Sequence, residues 1–431
     1  MALVSPVLHS DLPATPQVSR RYAWLVFAVI FGLLLSDYMS RQVLNAVFPI
    51  LKGEWGLSDT QLGALSGIVS FMVGLLAVPL SLVADRFGRI PSLKVMALLW
   101  SLATLGCGIA DAYGEMFAAR FLVGVGEAAY GSVGVAVLIS VFPAHLRSTI
   151  AGSFLAGGIF GSVLGMGVGG AVAVHLGWRS SFYAMALFGL LMLAVFALTV
   201  TENRVEPERR ARSGDKAANA IFSFRTLLPG LFSARSVIFA YVGNGLQLFI
   251  VGSLIAWLPS FLNRYYGMAT DRAAATAAIF VLLSGVGMVL CGMFTDRLAR
   301  ETPTRKFRIA VAFSLATFVL LAIAFRLPTG TAQLVLIGAG IFFAGGTTGP
   351  STAMVANVTH VSIHATAFAV LSLANNLLGM APGPIVTGAL ADRMGLDVAL
   401  QWVPFICVGA ALCFALGRRH YAKDLERLRA A

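Results

Sequence analysis

Ser81-Leu-Val-Ala-Asp85-Arg86-Phe-Gly88-Arg89 closes one long apolar run, and Gly292-Met-Phe-Thr-Asp296-Arg297-Leu-Ala-Arg300 closes another in the second half of the chain. Each puts Asp-Arg where hydrophobic sequence gives way to a short basic loop. A further copy, Gly388-Ala-Leu-Ala-Asp392-Arg393-Met-Gly395, has its counterpart in Gly170-Ala-Val-Ala-Val-His-Leu-Gly177. Because the matched stretches hold corresponding positions, the chain reads as two related halves. Working outward from them, runs of roughly 20 apolar residues, the length that crosses a bilayer, recur near 23–48, 60–83, 91–110, 115–141, 148–174, 180–200, 235–262, 273–294, 308–326, 332–358, 365–390 and 397–417. The fold expected is an all-α polytopic membrane protein with twelve transmembrane helices in two pseudo-symmetric six-helix bundles. Its parts are an N-terminal tail over 1–22, bundles over 23–201 and 235–417, a linker over 202–234 and a C-terminal tail over 418–431.

Composition agrees with that reading. Of 431 residues 58% are hydrophobic and 12% charged, about half the charged share of a soluble domain, and the mean hydropathy is +0.85. The net charge of +12 invites a nucleic-acid partner, but its distribution excludes one. Of the 31 Lys and Arg, six (Lys52, Arg179, Arg264, Arg272, Arg326 and Arg393) fall on one side of the predicted spans. Arg41 and Arg120 fall within spans, and the others lie on the opposite side with both termini. The positive-inside rule accounts for this bias and predicts both termini in the cytoplasm. The expectation is a multi-pass monomer of the plasma membrane, or of the inner membrane in a bacterium. Cys107, Cys291, Cys407 and Cys413 all lie in apolar spans without a CxxC, so no disulfide framework is implied. Residues 1–20 carry no cleavable signal pattern, so the first span directs insertion. The polar stretch Thr201–Lys216 reads as a solvated linker.

Four ionisable residues interrupt apolar spans: Asp37 and Arg41 in the first, Arg120 and Glu127 in the fourth. A charge at the bilayer centre costs at least about 2.5–3.5 kcal/mol, so such residues serve a polar cavity or an ion path. Spacings of four and seven put each pair on one helix face. With the two helices antiparallel, the arginines share one depth and the acids lie about 6–10 Å deeper. Asp37 with Arg120, or Arg41 with Glu127, can pair across helices. Structural ion pairing alone is a poor stabiliser compared with apolar packing. A carboxylate that gains or loses an arginine neighbour exchanges a proton, and this is the chemistry of a proton-coupled carrier, with Glu127 the leading acid.

The second half offers polar rather than charged groups: Asn244 and Gln247 in the seventh span, Thr347, Thr348 and Ser351 in the tenth, and Asn375 and Asn376 in the eleventh. With the amphipathic Tyr130, Tyr241 and Trp257 they suggest a cavity with charge on one wall and amides and hydroxyls on the other. Tyr130, Tyr241, Asn244, Gln247, Thr348, Asn375 and Asn376 are the candidate substrate contacts. Gly157, Gly161, Gly165 and Gly169 recur every fourth residue, for static packing or for a sliding contact between halves. Pro382 and Pro384 beside Gly379 and Gly383 predict a kinked or broken eleventh span.

Asp85-Arg86-Phe-Gly88-Arg89 resembles the loop motif of the major facilitator superfamily, with Ser81 in place of its usual Gly and Ile90 in place of a frequent Lys. Arg120-Phe-Leu-Val-Gly124-Val-Gly126-Glu127-Ala resembles the Spinster form of the helix 4 motif. Ala256-Trp257-Leu-Pro259-Ser-Phe, Gly349-Pro350 and Ala365-Thr366-Ala367-Phe368 are similar to Spinster second-half segments. Departures are His364, where an Arg is common, and Asp37-Tyr38-Met39-Ser40-Arg41, where Spinster helix 1 reads Asn-Tyr-Met-Asp-Arg. The acid thus stands about one turn away and Ser40 takes its place. The resemblance implies alternating access, often proton-linked, with small amphipathic or lipid-like substrates, and surrounding membrane lipids and protons as partners. Asp85, Arg86, Gly88, Arg89, Arg147, Asp296 and Arg297 are the gating candidates, with Asp85 expected to cap or pair with the cytoplasmic ends of neighbouring helices, Arg147 and the start of the eleventh span among them. The alternative is a drug or organic-anion carrier of the same superfamily.

An enzyme is disfavoured because no HExxH, Gly-x-Gly-Asp or nucleophile–base pairing is found, and a primary pump because no Walker loop is present. His360 and His364 read as interfacial polar residues rather than a metal site, and no cofactor is called for. The predicted orientation is open to thiol labelling. A Ser213→Cys variant should resist a membrane-impermeant reagent applied to intact cells and react once the membrane is opened; labelling of intact cells would reverse the topology.

Overall fold

The computed structural model describes residues 18–205, 234–300, 302, 304–359 and 364–430. Twelve helices among these residues are long and apolar enough to cross a membrane. In the first half they are α1 (Arg20–Trp55), α2 (Asp59–Phe87), α3 (Arg89–Ile109), α4 (Tyr113–Val141), α5 (Thr149–Leu176) and α6 (Trp178–Thr199). In the second they are α7 (Arg235–Tyr266), α8 (Thr270–Leu298), α9 (Arg305–Ala324), α10 (Thr331–Val358), α11 (Thr366–Met394) and α12 (Leu396–Glu426). Helices are the form such sequences take because hydrocarbon offers backbone N–H and C=O groups no partner outside the segment itself. The protein is a multi-pass integral membrane protein of two six-helix bundles.

Local geometry repeats between the halves. α1 and α7 end on left-handed glycines, Gly56 (φ 63°) and Gly267 (φ 61°), and Gly177 and Gly395 lead into α6 and α12 at φ 86° and 87°. A side chain is strained at such φ values, which explains why glycine recurs there. α4 is interrupted between Tyr113–Glu127 and Tyr130–Val141, and α10 between Thr331–Gly345 and Thr348–Val358. α11 departs from this symmetry. Its break, anticipated from Pro382, is a π-helical segment over Asn375–Met380, where proline lacks the N–H that would continue the ladder.

The halves meet along α2 with α11 and α5 with α8, with α1 facing α7 between these edges. Gly63 and Gly67 of α2 leave no room for a Cβ against the backbone of Pro384 and Ala381, so the α2–α11 edge is a close backbone contact. The glycine stripe of α5 has a different place. Gly157, Gly161, Gly165 and Gly169 face Phe31, Leu35, Met39 and Val43 of α1 in the same bundle. The sliding-contact reading is therefore corrected: the stripe packs α5 onto α1, and the contact of α5 with α8 runs through neighbouring residues such as Ile159 against Gly285 and Gly170 against Ala274.

The C-terminal tail expected from 418 is helical instead, since Ile406–Ala430 is one helix. Tyr421 packs at a tilt against Phe307 with ring centroids 5.0 Å apart, and Asp424 accepts bonds from the Ser236 N–H and hydroxyl at the start of α7, at 3.0 and 2.7 Å. That carboxylate at a helix N-terminus anchors the extension. Of the expected linker, Glu202–Val205 forms a single helical turn, and 206–233 lie outside the described residues, as does His360.

The stripe yields a paired test. Gly165→Ala drives a methyl group into the Met39 backbone and should lower stability by about 1–3 kcal/mol. Gly167→Ala, with open space around its Cβ, should change it by less than about 0.5 kcal/mol. Thermal unfolding in detergent reads both.

Candidate functional site

Glu127 is the last residue before the interruption of α4, and its side chain is fully buried. Gly124 and Gly126 bring it there. A Cβ on Gly124 would meet the Val69 backbone of α2 at 2.9 Å, and one on Gly126 the Trp100 backbone of α3 at 2.7 Å. The helix 4 motif therefore carries glycines because α4 lies almost against two neighbouring backbones.

The first helix supplies the counter-charge. Arg41 Nε donates to Glu127 Oε2 at 2.5 Å and lies 3.8 Å from Asp37 Oδ1. Its guanidinium also sits 5.3 Å from the Tyr38 ring centroid. Of the two cross-helix pairings the sequence allows, the structure forms Arg41 with Glu127. Ser40, at the position where the resemblance places an acid, donates to the Asp37 carbonyl at 2.8 Å and lies 3.3 Å from Glu127 Oε1. Asp37 is buried one turn away on α1. Asp37 Oδ1 has no hydrogen-bond partner among the described residues.

Arg120 behaves differently from the expected ion-pair partner. It is 1% exposed and donates to three backbone carbonyls, those of Leu65 (3.2 Å), Ser40 (3.1 Å) and Arg41 (3.5 Å). The pairing of Arg120 with Asp37 is thus corrected: the guanidinium ties α4 to α1 and α2. Its planar fork suits this, because several donors diverge from one rigid group.

Arg41 and Arg120 also border a cavity of about 30 Å³ between the halves, room for a water or two. Gln42, Asn45, Ser66, Val69 and Ser70 complete its first-half wall, and Gly252, Ile255, Met380 and Pro384 form the other. Asn45 donates to Gln42 at 2.7 Å, while its own Oδ1 has no partner among the described residues. This lining revises the expected one. The polar groups come from the first half, and the second-half wall is apolar.

None of the seven candidate substrate contacts borders this cavity. Tyr130 is fully buried between Trp100 and Phe154 and donates to the Ile30 carbonyl at 2.8 Å, so it holds helices of the first bundle together. Gln247 turns into the second bundle toward Thr317 at 3.1 Å. Asn244 bridges Asn375 (2.8 Å) and Thr347 (3.1 Å), and Tyr241 is buried in an apolar cluster with Phe307 and Phe414. Asn376 bonds back to the Ser372 carbonyl, and Thr348 accepts at its own carbonyl from Thr352. Gln42, Asn45, Ser66 and Ser70 were missed. The legible signal for the first two was their place directly after Arg41 on α1.

The gating candidates cluster at the opposite end from Gly56. Asp85 accepts from Arg89 at 3.1 Å, Arg86 lies 5.6 Å from the Phe87 ring, and Gly88 joins α2 to α3 at φ 111°. Arg147 donates to the Phe142 carbonyl at 3.4 Å. In the second half Asp296 lies 3.8 Å from Lys306, and Arg297 is exposed in the last turn of α8.

A buried charge pair at the seam of two pseudo-symmetric membrane bundles is the arrangement of a secondary transporter working by alternating access. Residues 30–384 match the Major Facilitator Superfamily, and the chain belongs to that family of transporters. It is 28% identical over 442 residues to the protein spinster homolog 1 of Bos taurus, covering 94% of this chain and 81% of that one. Over 362 residues it is 26% identical to a probable L-galactonate transporter of Escherichia coli (strain K12), covering 79% of each. Its fold matches the crystal structure of a bacterial homolog of the human lysosomal transporter Spinster, in an inward-facing and unoccupied conformation, with TM-score 0.82 and 20% identity over 94% of this chain and 99% of that one. The Spinster resemblance read from helix 4 is supported by these relatives.

Arg120→Lys replaces the fork by a single ammonium that cannot reach carbonyls on α1 and α2 together. Its stability in detergent should fall by about 1–3 kcal/mol; an unchanged unfolding midpoint would remove the positioning role.

Proposed function

We propose that the protein is a proton-coupled carrier of a small amphipathic molecule bearing an anionic group, with Glu127 as the proton-carrying acid. The observation that supports this most is the Arg41–Glu127 pair beside the cavity between halves. Protonation of Glu127 removes the charge that holds Arg41, and a buried guanidinium without its carboxylate seeks another anion. Arg41 is then the group that receives the substrate's negative charge, with Arg120 adding positive potential from its fixed position. Asp37 acts as a second acid that exchanges the proton with Glu127. The apolar second-half wall suits a hydrocarbon portion of the substrate, which favours a lipid-like cargo. In this reading the protein works as a monomer in the plasma membrane, or a bacterial inner membrane, with both termini cytoplasmic.

A second reading is a carrier of non-lipid organic anions. Two arginines at a small polar cavity support it, as does similarity to a protein named as a probable L-galactonate transporter.

Glu127→Gln keeps shape and hydrogen-bonding capacity but cannot titrate. In proteoliposomes with an imposed pH gradient, its concentrative uptake should fall to the level of protein-free liposomes, while equilibrium binding of substrate persists. Gradient-driven flux equal to wild type would move the role to Asp37.

A further inference from the structure

A second charged cluster lies at the end of the molecule where α1 meets α2 and α11 meets α12, a second gate end opposite the one that carries Asp85 and Arg86. Asp59, the first residue of α2, is 3% exposed and is held from both halves. Lys52 of α1 donates to its Oδ1 at 2.6 Å, and Arg264 of α7 donates through both terminal nitrogens, at 2.6 and 2.8 Å. Asp392 of α11 accepts from the N–H groups of Asp59 (2.7 Å) and Thr60 (2.8 Å) and from the Thr60 hydroxyl (2.6 Å). Two carboxylates thus cross the seam in opposite directions. Beneath them Phe48 packs on Trp257 with centroids 5.4 Å apart, and Trp257 Nε1 donates to the Pro384 carbonyl at 3.0 Å.

The other edge of the seam has no such cluster among the described residues. α2 and α8 both start three residues after a left-handed glycine, but Thr270 stands where α2 has Asp59. In the stretch that matches Gly388–Gly395, Val174 stands where α11 has Asp392. The contact there is apolar, Gly170 against Ala274. The polar restraint on the gate end is therefore confined to the α2–α11 edge with its neighbours α1 and α7.

We propose that Asp59, Arg264 and Asp392 form a one-sided latch that holds the gate end shut, and that this end opens by parting α2 from α11 while the apolar α5–α8 edge stays in contact. Substrate then enters or leaves the gate end along the α2–α11 edge. Charge-assisted bonds suit this task because they are short and directional, strong at the buried Asp59 and weaker at the exposed Asp392, and their partners regain water when the edge opens.

Spin labels test it on the full chain in nanodiscs, whichever way the protein faces a membrane. Gly53→Cys, where a Cβ has open space, and the exposed Met394→Cys carry one pair, and Gly167→Cys with Arg272→Cys carry a second pair near the α5–α8 edge. In Asp392→Asn and in Arg264→Gln the open-to-closed ratio of the first pair should rise about tenfold, the effect of losing one charge-assisted bond, while the second pair keeps its distance. Asp392→Glu should restore the closed population. Unchanged distances in the first pair overturn the latch, and equal widening of both pairs overturns its one-sidedness. Should the neutral variants fail to fold, the Gly53→Cys and Met394→Cys pair, which leaves Asp59, Arg264 and Asp392 in place, is joined by a thiol cross-linker matched to its closed distance: transport stops on cross-linking in the latch reading, and undiminished transport overturns it.

Discussion

Housing a carboxyl group inside hydrocarbon is the constraint on which this architecture turns. Glu127 is dry, and one guanidinium, that of Arg41, meets it from another helix. That contact requires α1 and α4 to lie close at one depth, and the surrounding sequence serves the requirement. Gly124 and Gly126 let α4 approach α2 and α3, the α5 glycines seat α1, and Arg120 pins both helices through their carbonyls. A buried pair of this kind stabilises less than apolar packing of equal volume. The proposed function gives it another purpose, because breaking the pair frees Arg41 for a substrate anion.

The two halves share a backbone plan but divide the chemistry unequally. Left-handed glycines and interrupted fourth helices recur in both. The first half carries the charges beside the cavity and its polar wall, and the second contributes Ile255, Met380 and Pro384 opposite them. Symmetry lets two similar bundles rock about a common seam. Asymmetry puts the charge beside the cavity in one half and the Asp59–Arg264–Asp392 contacts on one edge of the seam.

Several side chains with the right chemistry for a substrate point the wrong way. Gln247 lies on α7, which borders the seam, and Tyr130 on α4 just past Glu127, yet both turn into their own bundles to satisfy buried polar groups, as hydrocarbon surroundings demand. The glycine stripe of α5 reads equally well for either of two neighbours, and it is α1 that fills it. The sequence shows that a helix has a polar residue or a small face. Which neighbour takes that face depends on how the helix is rotated.

From residues alone came the twelve spans, the division into halves, the family, and the four charges that matter. Each of these is a one-dimensional signal, because hydrocarbon thickness sets span length and desolvation makes intramembrane charge rare. Tertiary structure alone decided that Arg41 takes Glu127 while Arg120 takes backbone, that Asn45 and Ser66 rather than Asn244 border the cavity, and that Asp59, Arg264 and Asp392 meet across the seam. Those outcomes depend on helix rotation and on contacts between residues far apart in the chain. A one-dimensional pattern holds neither.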